Sequence, residues 1–339
     1  MGNNTRKIGK SQEHLSKPTS KKKIIPRFVE FMEDKKVKIE RLKECGNFLK
    51  FISNSEKTNF RLVSGQFCKN RFCPVCSWLK ARKNAFEILE LLRAVEKKEN
   101  KKFIFVTLTI PNVQGEELSE SIKFLNKAFK RLTELDEVRK MNSGYIRKIE
   151  VTYQKDEFVT KENKHIYKKL RLGTRLYSYN TFHPHIHILF AVNKSYDKSK
   201  NYISEEKWLE LWKQSTRDNT ITEVKSQNVR MGSIKEVMEI ATYSAKQSEL
   251  YLNKEVFDGF YSGLYRKKLI TYNGLFKKYR QLQEKGELEL DDAELESMKE
   301  RATIEFGYTW NLQEYKEVFE RLLAEDDERT LYKINIEID

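Results

Sequence analysis

Alternating and helical runs of apolar residues divide the chain into predicted elements of both kinds. A mostly apolar run from Lys102 to Ile110 predicts a buried strand, which the turn signal Pro111-Asn112 ends. Apolar residues that recur every three or four positions from 118 to 135 predict one long amphipathic helix. The predicted strands lie at 102–110, 145–153, 183–192 and 269–272, and the predicted helices at 118–135, 204–215, about 233–250 and 300–325. This mixture predicts an α+β fold.

Three of the five histidines stand at alternate positions in one predicted strand. Because side chains alternate between the faces of a strand, His183, His185 and His187 share one face, while Ile186 and Ile188 point into a core. Imidazoles on one rigid strand face predict a metal site or a phosphate-binding site. The competing interpretation is a polar strand edge that happens to be rich in histidine.

The four cysteines predict a structural zinc site. Cys45, Cys68, Cys73 and Cys76 have the spacing C-x22-C-x4-C-x2-C, and the tight last pair is typical of two thiolates that bind one tetrahedral zinc ion. Four ligands leave no open position for catalysis. The alternatives are a redox pair, which would leave Cys45 and Cys68 unexplained, and simple core cysteines, which would not cluster.

A second group of polar residues follows the histidines in the helix predicted at 233–250. Glu239 and Tyr243 are four residues apart and Lys246 is three further on, so all three share one face of a continuous helix. An acid, a phenol and a cation together suggest a nucleophile with helpers, in which Lys246 lowers the tyrosine pKa or neutralises a phosphate. This spacing also arises by chance.

The net charge of the chain indicates the class of its binding partner. The 339 residues include 65 Lys and Arg against 50 Asp and Glu, a net charge of +15, which predicts a polyanionic partner. We find no apolar run long enough to span a bilayer and no apolar signal core, so we expect no membrane partner and a cytoplasmic protein with reduced thiols. The phosphate-binding pattern G-x4-G-K-[ST] does not occur, which argues against ATP use and a built-in helicase.

Taken in order, these motifs resemble a known family: the rolling-circle replication initiators (Rep proteins) of small plasmids from Gram-positive bacteria, within the His-hydrophobic-His (HUH) endonuclease superfamily. The resemblance covers roughly residues 40–315. The blocks that carry it are 105–112 (FVTLTIPN), 183–187 (HPHIH) and 243–246 (YSAK), with support from the cysteine region and from 144–153, 272–276 and 308–311.

The resemblance implies a nuclease fold with a central antiparallel sheet and a catalytic Mn²⁺ or Mg²⁺. It implies that His185 and His187 are metal ligands, and Glu150, on the polar face of the neighbouring strand, is our candidate for the third. It further implies that Tyr243 attacks the scissile phosphate, which leaves a 5′-phosphotyrosine and a 3′-hydroxyl primer. Glu239 stands where some relatives carry a second tyrosine, and resembles the plasmid branch in which an acid activates water at termination.

Charge, cysteine positions and the resemblance together divide the chain into four segments, and the resemblance indicates the partners. The segments are a basic disordered arm (1–36), a four-cysteine zinc module (37–85), an HUH Rep nuclease domain (86–283), and an acidic linker with a helical C-terminal region (284–339). The implied partners are single-stranded or hairpin origin DNA, a host helicase and a DNA polymerase. His183 is expected to play a supporting role, and His14 and His165 to be incidental.

Two rival functions remain open at this point. A tyrosine transposase of the same superfamily would use the same chemistry, although such enzymes usually resemble a two-tyrosine pattern that this chain lacks. A zinc-containing DNA-binding regulator that does not cut would leave Glu239, Tyr243 and the histidine pair without a role.

Overall fold

A computed structural model of the protein describes residues 13–229, 234–242, 244–289, 299–323 and 330–332. Two compact units make up the chain, Met1–Arg82 with Asp291–Asp339 and Lys83–Leu290. Within the described ranges, no helix is both long and apolar enough to cross a membrane. The helices are α1 (Glu13–Lys22), α2 (Ile25–Met32), α3 (Ile39–Lys43), α4 (Pro74–Glu99), α5 (Leu118–Glu134), α6 (Asp136–Met141), α7 (Glu205–Thr216), α8 (Ile234–Ala241), α9 (Gln247–Leu250), α10 (Lys254–Leu264) and α11 (Gly274–Lys285). The strands are β1 (Phe48–Ser53), β2 (Phe60–Gly65), β3 (Lys101–Thr109), β4 (Gly144–Gln154), β5 (Thr181–Asn193), β6 (Val224–Val229), β7 (Ile270–Asn273), β8 (Lys299–Arg301), β9 (Ile304–Trp310), β10 (Tyr315–Leu322) and β11 (Thr330–Tyr332).

The unit Lys83–Leu290 is built around a five-stranded antiparallel sheet in the order β6-β3-β5-β4-β7. The predicted strands at 102–110, 145–153 and 183–192 are confirmed as β3, β4 and β5, and the predicted helix at 118–135 as α5. The predicted α+β class with an antiparallel sheet and surrounding helices is therefore confirmed. The histidine strand β5 is central, between β3 and β4.

The two faces of this sheet differ in character. Ile186 and Ile188 point to the face covered by α5 and are fully buried. Arg147 lies on the same face of β4, with its guanidinium 4.8 Å from the ring centroid of Phe129 in α5. The opposite face carries the alternate residues of each strand, including the histidines. Burying the apolar face contributes about 1.5–3 kcal/mol per large side chain and fixes which way the histidines point.

The other unit contains a four-stranded antiparallel sheet, β10-β9-β1-β2. The helix predicted at 300–325 is wrong, because β9 and β10 form a hairpin there. Residues Ile304, Phe306 and Tyr308 alternate with period 2 and pack onto Phe51. The aromatic and β-branched residues of this segment favour a strand. The acidic stretch at 290–298 lies outside the described residues.

The prediction of a disordered arm at 1–36 is wrong for residues 13–32, which form α1 and α2; residues 1–12 lie outside the described residues. The physical reason is an apolar face in α2, whose Phe28 and Met32 are completely buried. His14, predicted to be incidental, stacks on Phe60 with ring centroids 3.7 Å apart. Its Nε2 lies 3.2 Å from the hydroxyl of Tyr308, and burial lowers the pKa of His14 to about 4. His165 is exposed.

Candidate functional site

Strand register brings the predicted carboxylate and histidines together on one face of the sheet. Glu150 of β4 lies directly opposite His185 of β5, and His187 lies one row along on the same face. One donor atom from each of these three residues can be chosen so that all lie within 4.8 Å of one another. A carboxylate oxygen with two imidazole nitrogens suits a divalent cation, and three protein ligands leave further coordination positions open.

Hydrogen bonds to the far side of each ring orient the two histidines. His185 Nδ1 lies 3.1 Å from the carbonyl oxygen of His183, and His187 Nδ1 lies 3.0 Å from the hydroxyl of Thr107 on β3. The Nε2 atom of His187 is 3.4 Å from a carboxylate oxygen of Glu150. Such contacts to Nδ1 hold Nε2 as the metal-binding nitrogen. His183 stands one row further out and stacks on His185, with ring centroids 5.3 Å apart.

The protonation states of Glu150 and His185 favour the binding of a cation. Burial opposes ionisation of Glu150, but the charge of Lys148 and the contact with His187 outweigh it and hold the pKa of this carboxyl well below its usual range. Burial, assisted by the neighbouring His187, lowers the pKa of His185 to about 3. At neutral pH the site therefore offers a carboxylate and a neutral His185 ring, the forms that bind metal.

Lys148 is completely buried and joins this site to the segment that contains the predicted nucleophile. Its Nζ donates to Glu150 Oε2 at 2.7 Å, to the carbonyl oxygen of Glu239 at 2.6 Å and to the hydroxyl of Thr242 at 3.0 Å. An ammonium has three donors, so these bonds use all of them. One side chain thus fixes a candidate metal ligand and the end of α8 relative to each other.

The helix predicted at 233–250 is broken, and this corrects the predicted shared face. Helix α8 ends at Ala241, and Lys246 is an extended residue that precedes the short helix α9. Glu239 and Lys246 therefore do not stand on one continuous helix, and Lys246 is exposed. Contact with β4 replaces helical bonding here: Val151 N donates to the carbonyl oxygen of Ser244 at 2.8 Å.

Tyr243 itself lies outside the described residues. Both of its chain neighbours are described, and both bond to β4: Thr242 through Lys148, and Ser244 through Val151. These two attachment points on β4 flank Glu150. Glu239, three residues before Thr242, is half-buried.

The four cysteines converge in the other unit. The Sγ atom of Cys45 lies 3.5 Å from those of Cys73 and Cys76, and the Sγ of Cys68 lies 3.7 Å from that of Cys76. Zinc–sulfur bonds of about 2.3 Å in a tetrahedron put the sulfurs roughly 3.8 Å apart, so this group fits one tetrahedral ion. Burial raises the pKa of the Cys73 thiol, so a bound cation is needed for all four to be thiolates together.

Other side chains of the same unit hold the cysteine loop in shape. Lys22 is buried beside the thiols, and its Nζ donates to the carbonyl oxygens of Cys45 at 2.7 Å and Lys43 at 3.0 Å. The Tyr315 hydroxyl donates to the carbonyl oxygen of Gly46 at 2.6 Å. Helix α1 and strand β10, neither expected from sequence, thus support the cysteine cluster.

Sequence reasoning missed Lys148, Thr107 and Thr242. Lys148 carried a usable signal, because it is two residues before Glu150 and an alternating strand puts both on one face. A lysine on that face needs either solvent or a carboxylate partner. Thr107 and Thr242 carried no such signal, because their roles depend on strand register and on where α8 ends.

Comparison with known proteins agrees with the motifs. The profile of a family described as "Replication protein" matches residues 59–318. The chain is 38% identical over 214 residues to a "Protein rep" of Staphylococcus aureus, covering 63% of this chain and 84% of that protein. It is 34% identical over 249 residues to a "Protein rep" of Streptococcus pneumoniae, covering 71% of each, and 28% identical over 271 residues to a "Protein rep" of Lentilactobacillus hilgardii, covering 76% of this chain and 77% of that protein. No solved structure matches the chain. The match over most of its length shows that the chain belongs to the replication protein (Rep) family, as a plasmid replication initiator.

Proposed function

We propose that this protein starts rolling-circle replication by nicking one strand of its plasmid origin with Tyr243. The observation that carries the proposal is the pair of attachments on β4: the residues on either side of Tyr243 are bonded to the strand next to Glu150, by way of Lys148 and Val151. A nucleophile has to meet a phosphate held at the metal ligands, and this arrangement keeps the two parts of the site on one rigid strand.

The residues that would hold the catalytic ion are His185, His187 and Glu150. Their mixed nitrogen and oxygen donors suit Mn²⁺, and Mg²⁺ is the alternative. When bound, the ion supplies Lewis-acid stabilisation to the phosphate oxygens. The carboxylate of Glu150 offsets the charge of the ion, and the bonds to His183 and Thr107 keep the two rings in register.

The nicking step is a transfer of the phosphoryl group to tyrosine. The Tyr243 phenol oxygen forms a bond to phosphorus while the bond from phosphorus to the 3′-oxygen breaks. The phenol loses its proton and the leaving 3′-oxygen gains one, so the products are a 5′-phosphotyrosine and a 3′-hydroxyl primer. Lys246 would assist by neutralising phosphate charge, and attack of a 3′-hydroxyl on the phosphotyrosine reverses the step as strand transfer.

Glu239 is proposed to act at termination. As a general base it would take a proton from the water that attacks the phosphodiester of the regenerated nick site, so that this bond is cut by hydrolysis. The 3′-hydroxyl that this cut releases then attacks the 5′-phosphotyrosine and frees Tyr243. Its place at the end of α8 supports this role, because Lys148 holds the carbonyl oxygen of Glu239 at 2.6 Å.

The remaining assignments follow from this chemistry. We propose that Cys45, Cys68, Cys73 and Cys76 bind a structural Zn²⁺ and that the substrate is single-stranded or extruded origin DNA. A host helicase would unwind the duplex, and a DNA polymerase would extend the primer. The HUH nuclease fold of 86–283 and the zinc module of 37–85 are part of the same proposal.

A covalent-adduct assay tests the proposal. The protein is incubated with Mn²⁺ and a labelled single-stranded origin oligonucleotide, and the adduct is resolved on a denaturing gel. We expect Tyr243→Phe to abolish the adduct and Tyr265→Phe, which removes a hydroxyl from an exposed tyrosine, to leave it intact. Glu239→Gln should form the adduct at the wild-type rate and lose the hydrolytic step at termination. An absence of adduct across origin-like sequences would instead favour the non-cutting regulator.

A further inference from the structure

The connection between β4 and β5, residues 155–180, has a fixed shape of its own. We call it the β4–β5 excursion. Its two limbs pair through backbone bonds, among them Val159 N to the Thr174 carbonyl oxygen at 2.9 Å and Leu176 N to the Glu157 carbonyl oxygen at 2.8 Å. Near its tip, Asn163 accepts a bond from Thr160 N at 2.7 Å. These internal hydrogen bonds give the excursion a defined structure, unlike that of an irregular connecting loop.

The β4–β5 excursion exposes several large apolar side chains, which therefore do not contribute to packing of the core. Six of the twelve large hydrophobic residues that are exposed among the described residues lie within it, and Tyr177 has no contact that shields it from solvent. Apolar groups concentrated in this way on a soluble protein indicate a surface for a partner. The six are Phe158, Ile166, Leu170, Leu172, Tyr177 and Tyr179.

The charge of the excursion identifies the class of partner. It has seven Lys and Arg and three Asp and Glu, which leaves a net charge of +4. Of the acidic residues, Glu157 pairs with Arg175 at 3.2 Å, and Asp156 accepts a bond from the Tyr167 hydroxyl at 3.0 Å. Lys168, Lys169 and Arg171 remain exposed at the tip. Cations interleaved with exposed aromatic rings are the combination that binds single-stranded nucleic acid, by phosphate contacts and base stacking.

The position of the excursion relates this surface to the candidate metal site. Along the same face of the sheet, Glu150 is opposite His185, the next row is Thr152 opposite His183, and the row after that is Gln154 opposite Thr181. The excursion begins directly beyond this last row. Four residues of strand at about 3.4 Å each put its root roughly 14 Å from the metal ligands. DNA whose phosphate lies at the ligands would therefore reach the excursion within a few nucleotides.

We propose that the β4–β5 excursion binds the single strand that flanks the cut, with a base stacked on Tyr177 and phosphates held by Lys169 and Arg171. The inference rests on the proposed nicking function, because it assumes that a single strand occupies the metal site. The excursion acts as a binding surface, so it sets how tightly the strand is held and takes no part in the chemical step.

The test compares two double charge reversals of equal size. Lys169→Glu with Arg171→Glu changes the excursion, and Lys194→Glu with Lys198→Glu makes the same change at the opposite end of β5, where both lysines are exposed. Binding of a fluorescent single-stranded origin oligonucleotide is measured by anisotropy at fixed salt, and nicking is measured at saturating DNA. We expect roughly tenfold weaker binding for the excursion variant and less than about twofold for the control, with nicking at saturation unchanged in both.

A third variant isolates stacking. With 2-aminopurine placed in turn at each position beside the nick, we expect one position to be quenched by the wild type and not by Tyr177→Ala. Equal weakening by both charge reversals, or quenching that survives Tyr177→Ala at every position, would overturn the inference. Thermal melts check that the variants are folded. If the wild-type protein binds DNA as described yet forms no adduct, the proposed nicking function fails while the binding surface stands.

Discussion

The two candidate metal sites gather their ligands in opposite ways. In the cysteine cluster, the four thiols come from loop segments and from the start of α4. Neighbouring sulfur atoms lie 3.5–3.7 Å apart. In the other site, Glu150, His185 and His187 project from two neighbouring strands of one sheet. The first arrangement has no free position, whereas the second offers three donor groups and would leave coordination positions open.

This difference separates what each site does for the protein. The cysteine segments lie outside the strands, and bonds such as those from Lys22 to the carbonyl oxygen of Cys45 and from Tyr315 to that of Gly46 help to hold them in place. The strands that carry Glu150 and the histidines are already fixed by backbone pairing and by an apolar core on the other face. We therefore expect the cysteine site to determine folding, and the carboxylate–histidine site to determine chemistry alone.

The largest effect should come from breaking the cysteine site. Binding of structural zinc contributes about 10–16 kcal/mol to folding in small modules, more than the whole stability of most domains. We expect Cys73→Ser to lose zinc and to unfold the unit that contains residues 13–82, seen as rapid proteolysis there and a lost melting transition. Zinc content measured by mass spectrometry and limited proteolysis check this. A variant that keeps one equivalent of zinc and resists protease would refute the structural role.

The next effect should be on activity with little loss of stability. His185→Ala removes a proposed metal ligand, and several kcal/mol of phosphate stabilisation correspond to at least roughly a hundredfold slower adduct formation. His183→Ala is the matched control, because it removes the same side chain one row away on the same strand face. We expect the control to nick within a few-fold of wild type. Similar losses in both variants would mean that the strand face, rather than the ligand pair, is what matters.

Substitution of Lys148 should affect both stability and nicking, because Lys148 bonds to a candidate metal ligand and to the end of α8. Lys148→Met keeps the length of the side chain and removes its bonds to Glu150, Glu239 and Thr242. A buried carboxylate that loses its partner costs about 3–5 kcal/mol, so the variant should melt at lower temperature without metal and recover when Mn²⁺ supplies the missing charge. Nicking at saturating Mn²⁺ should still fall about tenfold or more, because the segment around Thr242 is no longer fixed.

Thr242→Val separates these two effects. It removes one bond to the segment and leaves the pair of Lys148 with Glu150 in place, so nicking should slow while Mn²⁺ affinity stays constant. Thr216→Val, which removes a buried hydroxyl bonded within α7, is the control and should nick normally. A Thr242→Val protein that nicks at the wild-type rate would show that Lys148 acts on the metal site alone.

The same contrast explains which parts of the structure could be predicted from sequence. Strands β3, β4 and β5 and helix α5 have regular periods, and their partners lie within one sheet, so pattern alone located them. The C-terminal strands were missed because β9 pairs with β1, some 250 residues earlier in the chain. Short-range patterns carry no information on such a partner.

Among the candidate site residues, sequence identified groups by chemistry and failed where geometry decides. His185, His187 and Glu150 could be assigned to one face because strand alternation is strict, and the structure brings them together. The shared helical face of Glu239 and Lys246 was wrong because α8 ends at Ala241, where bonds from β4 take over. Strand alternation could have assigned Lys148 to the face of Glu150, but its bonds to Glu239 and Thr242 depend on where α8 ends, which no local pattern gives.

The smallest expected effect is a loss of stability in acid, caused by His14 in the unit that contains the cysteine cluster. Burial lowers the pKa of His14 to about 4, so between that value and the unfolded value of about 6.5 the unfolded chain binds the extra proton. Above about pH 6.5 His14 costs the folded protein nothing, and the free energy of unfolding falls as the pH drops from there towards 4. At 1.36 kcal/mol per pH unit, the loss at pH 5 is roughly 2 kcal/mol. His14→Phe keeps a ring against Phe60 and removes the titrating group, although it gives up the contact with the Tyr308 hydroxyl. Urea unfolding at pH 7 and pH 5 should therefore show wild type losing more stability than His14→Phe, with acid loss of thiolate ligands common to both. An equal loss in the two proteins would mean that protonation of the thiols, rather than of His14, governs the acid sensitivity of this unit.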